Sequence, residues 1–76
     1  MKGRTMEVIG TYEVLGQNRL YMGEMDEYGV VRKDGKIVLR VEHGLIYSVH
    51  GSYMGRCKNG VGKSDHGQLI FTLRLV

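Results

Sequence analysis

Related segments recur along this chain every 16 residues, and that spacing constrains the fold more than any other feature. The clearest copy runs from Gly29 to Gly44. It has an apolar start, a turn pair at Asp34-Gly35, an alternating segment and a second turn pair at His43-Gly44. One shift gives Leu45 to Gly60, a further shift gives Val61 to Val76, and a backward shift gives Glu13 to Tyr28. Units 13–28, 29–44, 45–60 and 61–76 follow one another without gaps, and residues 1–12 are left as a leader. Each unit reads as one β-hairpin, because turn residues bound short runs with a period of two.

The first-turn column holds Asn18-Arg19, Asp34-Gly35, His50-Gly51 and His66-Gly67. A two-residue hairpin turn needs positive φ at both central residues, which Asn, Asp and Gly tolerate best. Asp34-Gly35 is the strongest such pair. Arg19 is the poorest fit, since a Cβ disfavours the left-handed conformation. His50 and His66 are read as turn formers at the same left-handed position, where histidine is enriched. The second-turn column holds Glu27-Tyr28, His43-Gly44 and Asn59-Gly60.

Strict alternation assigns the faces of the long strand in each unit. The inward set is Tyr21, Gly23, Met25; Ile37, Leu39, Val41; Tyr53, Gly55, Cys57; and Leu69, Phe71, Leu73. The opposite face carries the apolar column Met22, Val38, Met54 and Ile70, followed by mostly charged columns that include Glu24, Arg40, Arg56, Glu42 and Lys58. A nested period of 32 repeats Tyr-Met-Gly at positions 21–23 and 53–55. Gly23 and Gly55 are expected to make room for Leu39 and Phe71 across the core. The fold expected is all-β: four 16-residue hairpin repeats around a pseudo-four-fold axis. A leader strand over Met6 to Tyr12 is expected to cover an open sheet edge. No apolar helical pattern persists past one turn.

Size bounds the function classes. A chain of 76 residues is one domain, and small folds usually need a staple. One cysteine makes no internal disulfide, and no Cys/His set has zinc-finger spacing. Oligomerisation is the staple that remains. Twelve glycines and no proline suit a turn-dense sheet. No apolar run is long enough for a membrane helix, so no membrane partner is expected. The basic start lacks the apolar stretch of a signal peptide, which together with the free Cys57 suggests the cytoplasm. The net charge of +3 is spread among acidic residues and reads as a solubility feature.

Val31 to Gly44 and Ile46 to Gly60 resemble the bacterial four-fold β-flower family. Its units look like Val/Ile-Tyr-x-x-x-Gly-x-x-Val/Ile-Gly-Arg-Val/Ile-x-x-Gly. The resemblance covers residues 13–76. It departs in the first unit, which lacks the turn glycine, and in the fourth, where Gly62-Lys63 replaces Ile-Tyr. It implies a compact four-hairpin sheet fold with no settled activity and no catalytic residues to carry over. Tyr53 to Gly60 also resembles a MORN repeat, as Tyr21-Met-Gly-Glu24 does in part. MORN units recur at a longer period than this chain shows, so that family ranks second.

Candidate chemistry follows from the columns. His50 and His66, with Asn18 and Asp34, would form a polar turn rim. Two imidazoles and a carboxylate suit zinc, but turn formation already explains these residues, and no metal site is expected. Cys57 falls in a core column, where cysteine acts as a small hydrophobe rather than a nucleophile. Gly60-Val-Gly-Lys-Ser64 resembles a phosphate loop but lacks the first glycine and the following helix. Tyrosines among Arg and Lys raise nucleic-acid binding, yet acids share the same columns, so that partner is not expected. Met22, Val38, Met54 and Ile70 are expected to form an apolar patch for self-association or a protein partner. The reading is a non-enzymatic binding or assembly module without a cofactor, forming a homo-oligomer. The alternatives are a nucleic-acid-binding accessory protein and a small-molecule-binding pocket protein.

Overall fold

Three turns bend the chain with both central residues in the left-handed region: Asp34-Gly35 (φ 54° and 80°), His43-Gly44 (53° and 80°) and Asn59-Gly60 (53° and 81°). That conformation matches the twist of paired strands. Each turn therefore sets its flanking residues opposite one another: Lys33 with Lys36, Glu42 with Leu45, and Lys58 with Val61. The computed structural model describes residues 11–75 and is all-β. Its strands are β1 (Tyr12–Leu15), β2 (Tyr21–Met25), β3 (Val30–Lys33), β4 (Lys36–Glu42), β5 (Leu45–Ser48), β6 (Tyr53–Lys58), β7 (Val61–Lys63) and β8 (Leu69–Leu75). Among the described residues the one helical piece is a single 3-10 turn, Gln17–Arg19.

Every strand pairs antiparallel with the next, and β1 also pairs with β8, so the sheet closes into a barrel. Closure removes sheet edges altogether. The open edge expected from the sequence is thus absent among the described residues. The expected leader strand lies outside them, except for Thr11 and for Tyr12, which opens β1.

A barrel of eight strands has an interior just wide enough for its own side chains. Here that filling is Val14, Met25, Val31, Leu39, Ile46 and Phe71, each no more than 7% exposed. Gly23 and Gly55 are buried with them, so the column Gly23, Leu39, Gly55 and Phe71 faces inward as expected. Val41, Cys57 and Leu73 are half-buried and pack against the same cluster.

The neighbouring columns depart from strict alternation, and β-bulges are the reason. In β1–β2, Val14 opposes Gly23 but Leu15 opposes Tyr21, which leaves Met22 as an extra residue. Val38 is skipped in the same way between β3 and β4, Met54 between β5 and β6, and Ile70 between β7 and β8. A bulge places two residues against one and breaks the period of two. Tyr21, Ile37 and Tyr53, expected inward, consequently face solvent at 40%, 47% and 45% exposure. Met22, Val38 and Ile70 instead pack against the core.

The spacing of 16 also conceals a shift of β3. It aligns Val30 with Val14 and Ile46, yet Val31 is the fully buried residue. The β2–β3 loop, Asp26 to Val30, encloses three residues, whereas the corresponding turns at His43-Gly44 and Asn59-Gly60 enclose two. The Asp34-Gly35 turn is shorter by one than the β5–β6 and β7–β8 loops, which compensates. β3 has therefore slid one residue along its neighbours without changing the length of the unit.

Glycine positions follow from close approach. A Cβ on Gly62 would lie 2.8 Å from Ile46 Cδ1 and 2.9 Å from Phe71 Cζ, so the glycine that accommodates Phe71 is its own hairpin partner. Gly23 and Gly55, expected to serve that role, instead lie against backbone: added Cβ atoms would collide with the carbonyl oxygens of Arg32 and Lys63. Gly62→Ala should destabilise by about 1–3 kcal/mol through overpacking. Adding Phe71→Leu should recover part of that loss. Gly55→Ala should cost more, and Phe71→Leu should not rescue it. Urea denaturation midpoints for the four variants check this ordering.

Candidate interaction surface

The hairpin tips of β1–β2, β3–β4, β5–β6 and β7–β8 gather at one end of the barrel. Two of the tips are built alike. Ser48 Oγ accepts hydrogen bonds from His50 N (3.2 Å) and Ser52 N (3.1 Å), while its carbonyl accepts from Gly51 N (2.9 Å). Ser64 Oγ accepts from His66 N (3.3 Å) and Gln68 N (3.2 Å), and its carbonyl from Gly67 N (2.9 Å). The residues with positive φ in these loops are Gly51 and Gly67, at 88° and 86°. His50 and His66 do not take the left-handed position assigned to them; they occupy the penultimate position of three-residue loops. The local signal was serine, whose hydroxyl satisfies loop N–H groups.

Asn18 and Asp34 do adopt positive φ, at 59° and 54°, as does Arg19 at 60°. All four expected rim residues lie in tips at this end. Among the described residues no three of His, Cys, Asp or Glu cluster in a way that could hold a metal ion. Cys57 is half-buried, and burial pushes its thiol pKa upward, the opposite of what a nucleophile needs.

The expected apolar patch is divided between interior and surface. Met22, Val38 and Ile70 contribute to the core, and Met54 is exposed at 36%. The exposed apolar side chains at this end are Leu20, Tyr21, Ile37, Val49, Tyr53 and Met54. Only Tyr28 and Leu75 are comparably exposed at the other end among the described residues. At the first two bulges Tyr21 and Ile37 thus replace Met22 and Val38 at the surface.

Beyond this collar the outer wall is charged and aromatic. Tyr47 and Tyr53 are cross-strand partners whose rings meet edge to face at 6.3 Å, and the Arg40 guanidinium lies 5.6 Å from the Tyr47 ring centre. The Tyr53 hydroxyl donates to Asp65 Oδ1 at 2.7 Å. Arg40 Nε is 3.3 Å from Glu42 Oε2 without hydrogen-bond geometry, so this buried N–H has no acceptor. Arg74 pairs with Glu13, and Arg32 Nη1 donates to Asp26 Oδ2 at 2.8 Å.

Asp26 organises the opposite end. Its Oδ1 accepts from Tyr28 N (2.9 Å) and Val30 N (3.1 Å), which holds the longer β2–β3 loop. Burial opposes its ionisation, but the hydrogen bonds from Val30 N, Arg32 and Tyr28 N outweigh it and hold the carboxyl below its ordinary pKa.

No helix among the described residues is long and apolar enough to cross a membrane. Comparison with protein-family models, curated proteins and solved structures finds no match.

Because the folded pKa of Asp26 is depressed, the unfolded chain binds its proton more readily. The contribution of Asp26 is present above its unfolded pKa, near ~4, and is lost as pH falls through the lower folded value. Asp26→Asn should flatten that part of the acid limb. Denaturant midpoints from pH 6 down to about 2 measure it.

Proposed function

We propose that the chain is a non-enzymatic binding and assembly module that associates with further copies of itself through the apolar collar. The observation that carries this reading is the one-ended exposure of Leu20, Ile37, Val49 and Met54. An apolar surface gathered at one end gives a self-complementary patch, and most soluble oligomers are built from such patches. The core is small, with six buried apolar side chains and no disulfide among the described residues. A fold of this size gains from burying surface on a partner copy.

The single bulge in each of the hairpins β1–β2, β3–β4, β5–β6 and β7–β8 supports the four-fold repeat reading and the resemblance to the four-fold β-flower family. On this reading the collar is a ring of equivalent positions at the hairpin tips. The interior is filled by Phe71, Leu39 and Ile46, which counts against an axial pocket for a small molecule. The proposed setting is the cytoplasm.

Light scattering on the full chain should give a mass above that of the monomer. Met54→Asp or Ile37→Asp should return it to the monomer, because burying an unpaired carboxylate in an apolar interface is costly. Tyr28→Asp, at the opposite end, should leave the mass unchanged. A monomeric wild type at micromolar concentration would sink the assembly reading.

A further inference from the structure

Folding sorts charge around the barrel. Between Lys36 and Lys63, which form β4–β7, the cations are Lys36, Arg40, Arg56, Lys58 and Lys63, and the one carboxylate is Glu42. Between Thr11 and Gly35, which form β1–β3, Glu13, Glu24, Asp26, Glu27 and Asp34 outnumber Arg19, Arg32 and Lys33. The acidic and basic segments of the chain therefore form different sides of the molecule.

The positive side is concentrated on β6 and β7. Arg56 stands directly opposite Lys63 in the ladder, and like charges so placed destabilise a sheet. Among the described residues the ion pairs are Arg32–Asp26, Arg40–Glu42 and Arg74–Glu13, so Arg56, Lys58 and Lys63 belong to none. Asp65 is the acid nearest this group, and its Oδ1 already accepts the Tyr53 hydroxyl. An open groove of about 540 Å³ crosses the surface, lined by Arg56, Lys58, Val61, Lys63 and Asp65 among others. The exposed Tyr53 ring lies alongside it on β6, held by Asp65 and by the edge-to-face contact with Tyr47.

We propose that the outer face of β5–β7 binds a single strand of nucleic acid, with phosphates on Arg56, Lys58 and Lys63 and a base stacked on Tyr53. Charge complementarity selects a polyanion. The fixed, exposed aromatic ring selects one that carries flat apolar groups between its charges, as a nucleic-acid strand does. A duplex keeps its bases stacked on each other, so the ring favours unpaired bases. The Arg56–Lys63 juxtaposition is a cost to the fold that phosphate would relieve.

The test is fluorescence anisotropy of the full chain with labelled oligo-dT and oligo-U of about 12 nucleotides, the length scale of a site on a small barrel, across a salt series. A duplex of the same length, heparin and anionic phospholipid vesicles serve as competitors. Single strands should bind best, with affinity falling as salt rises. The double variant Lys58→Glu, Lys63→Glu should lose at least about tenfold, and its salt slope should shrink by about 1.4, the value for two phosphate contacts to a single strand. Tyr53→Leu should lose roughly 5- to 150-fold with the slope unchanged. Lys33→Glu, on the acidic side, should bind as the wild type does. Lys63→Glu converts a repulsive cross-strand pair into an attractive one, so its melting temperature should not fall, which separates lost binding from lost folding. Absence of binding at low salt would overturn the proposal. So would binding that Tyr53→Leu leaves intact and that duplex, heparin or vesicles compete for equally.

Discussion

The interior of this barrel is only as wide as the side chains that fill it, and the remaining features are arranged around that limit. Val14, Val31, Leu39, Ile46 and Phe71 occupy the space almost completely. The filling is uneven: Phe71 is accommodated because its partner across the ladder is Gly62. The wall must also bend tightly to close with so few residues per strand. Bulges at Met22, Val38, Met54 and Ile70 provide extra twist, and those at Met22, Val38 and Ile70 each add an apolar side chain near the core. Gly23 and Gly55 lie where neighbouring backbones come too close for any Cβ. Closure, bulge and glycine are thus three aspects of one geometric demand.

Much of this was legible in the sequence. Alternation and turn chemistry give the hairpins, the all-β class and the inward column through Gly23, Leu39, Gly55 and Phe71. The turn pairs Asp34-Gly35, His43-Gly44 and Asn59-Gly60 carry their own mechanism, and the structure places all six residues at positive φ. The faces beyond the bulges were not legible. A period-two pattern has no mark for an extra residue, so Tyr21 and Ile37 were assigned inward when they face water. Pairing of β1 with β8 also leaves no local signal. It arises from strands about 60 residues apart in sequence, and only the closed sheet brings them together.

The candidate surfaces show the same division. Individual residues such as Arg56 and Met54 stood out in the sequence as members of recurrent columns. Their grouping did not, because it depends on which strands are neighbours and on which side chains a bulge turns outward. The excess of acids in residues 11–35 and of cations in residues 36–63 becomes a difference between two sides of the barrel once β1–β3 and β4–β7 form them. The Ser48 and Ser64 loops illustrate a smaller miss. The histidines drew attention by recurring, whereas the hydroxyls beside them do the structural work.

The one-residue slide of β3 has a consequence for how such a chain can vary. The loop held by Asp26 and the turn at Asp34-Gly35 lie at opposite ends of the barrel and do not touch, yet their lengths are tied together. Lengthening one while the other stays fixed would move Val31 out of the interior and bring Val30 or Arg32 into its place. Viable insertions and deletions at these two distant loops must therefore arise as matched pairs. Coupling of this kind is transmitted along a single strand as a change of register, without any change in the packing between the two loops.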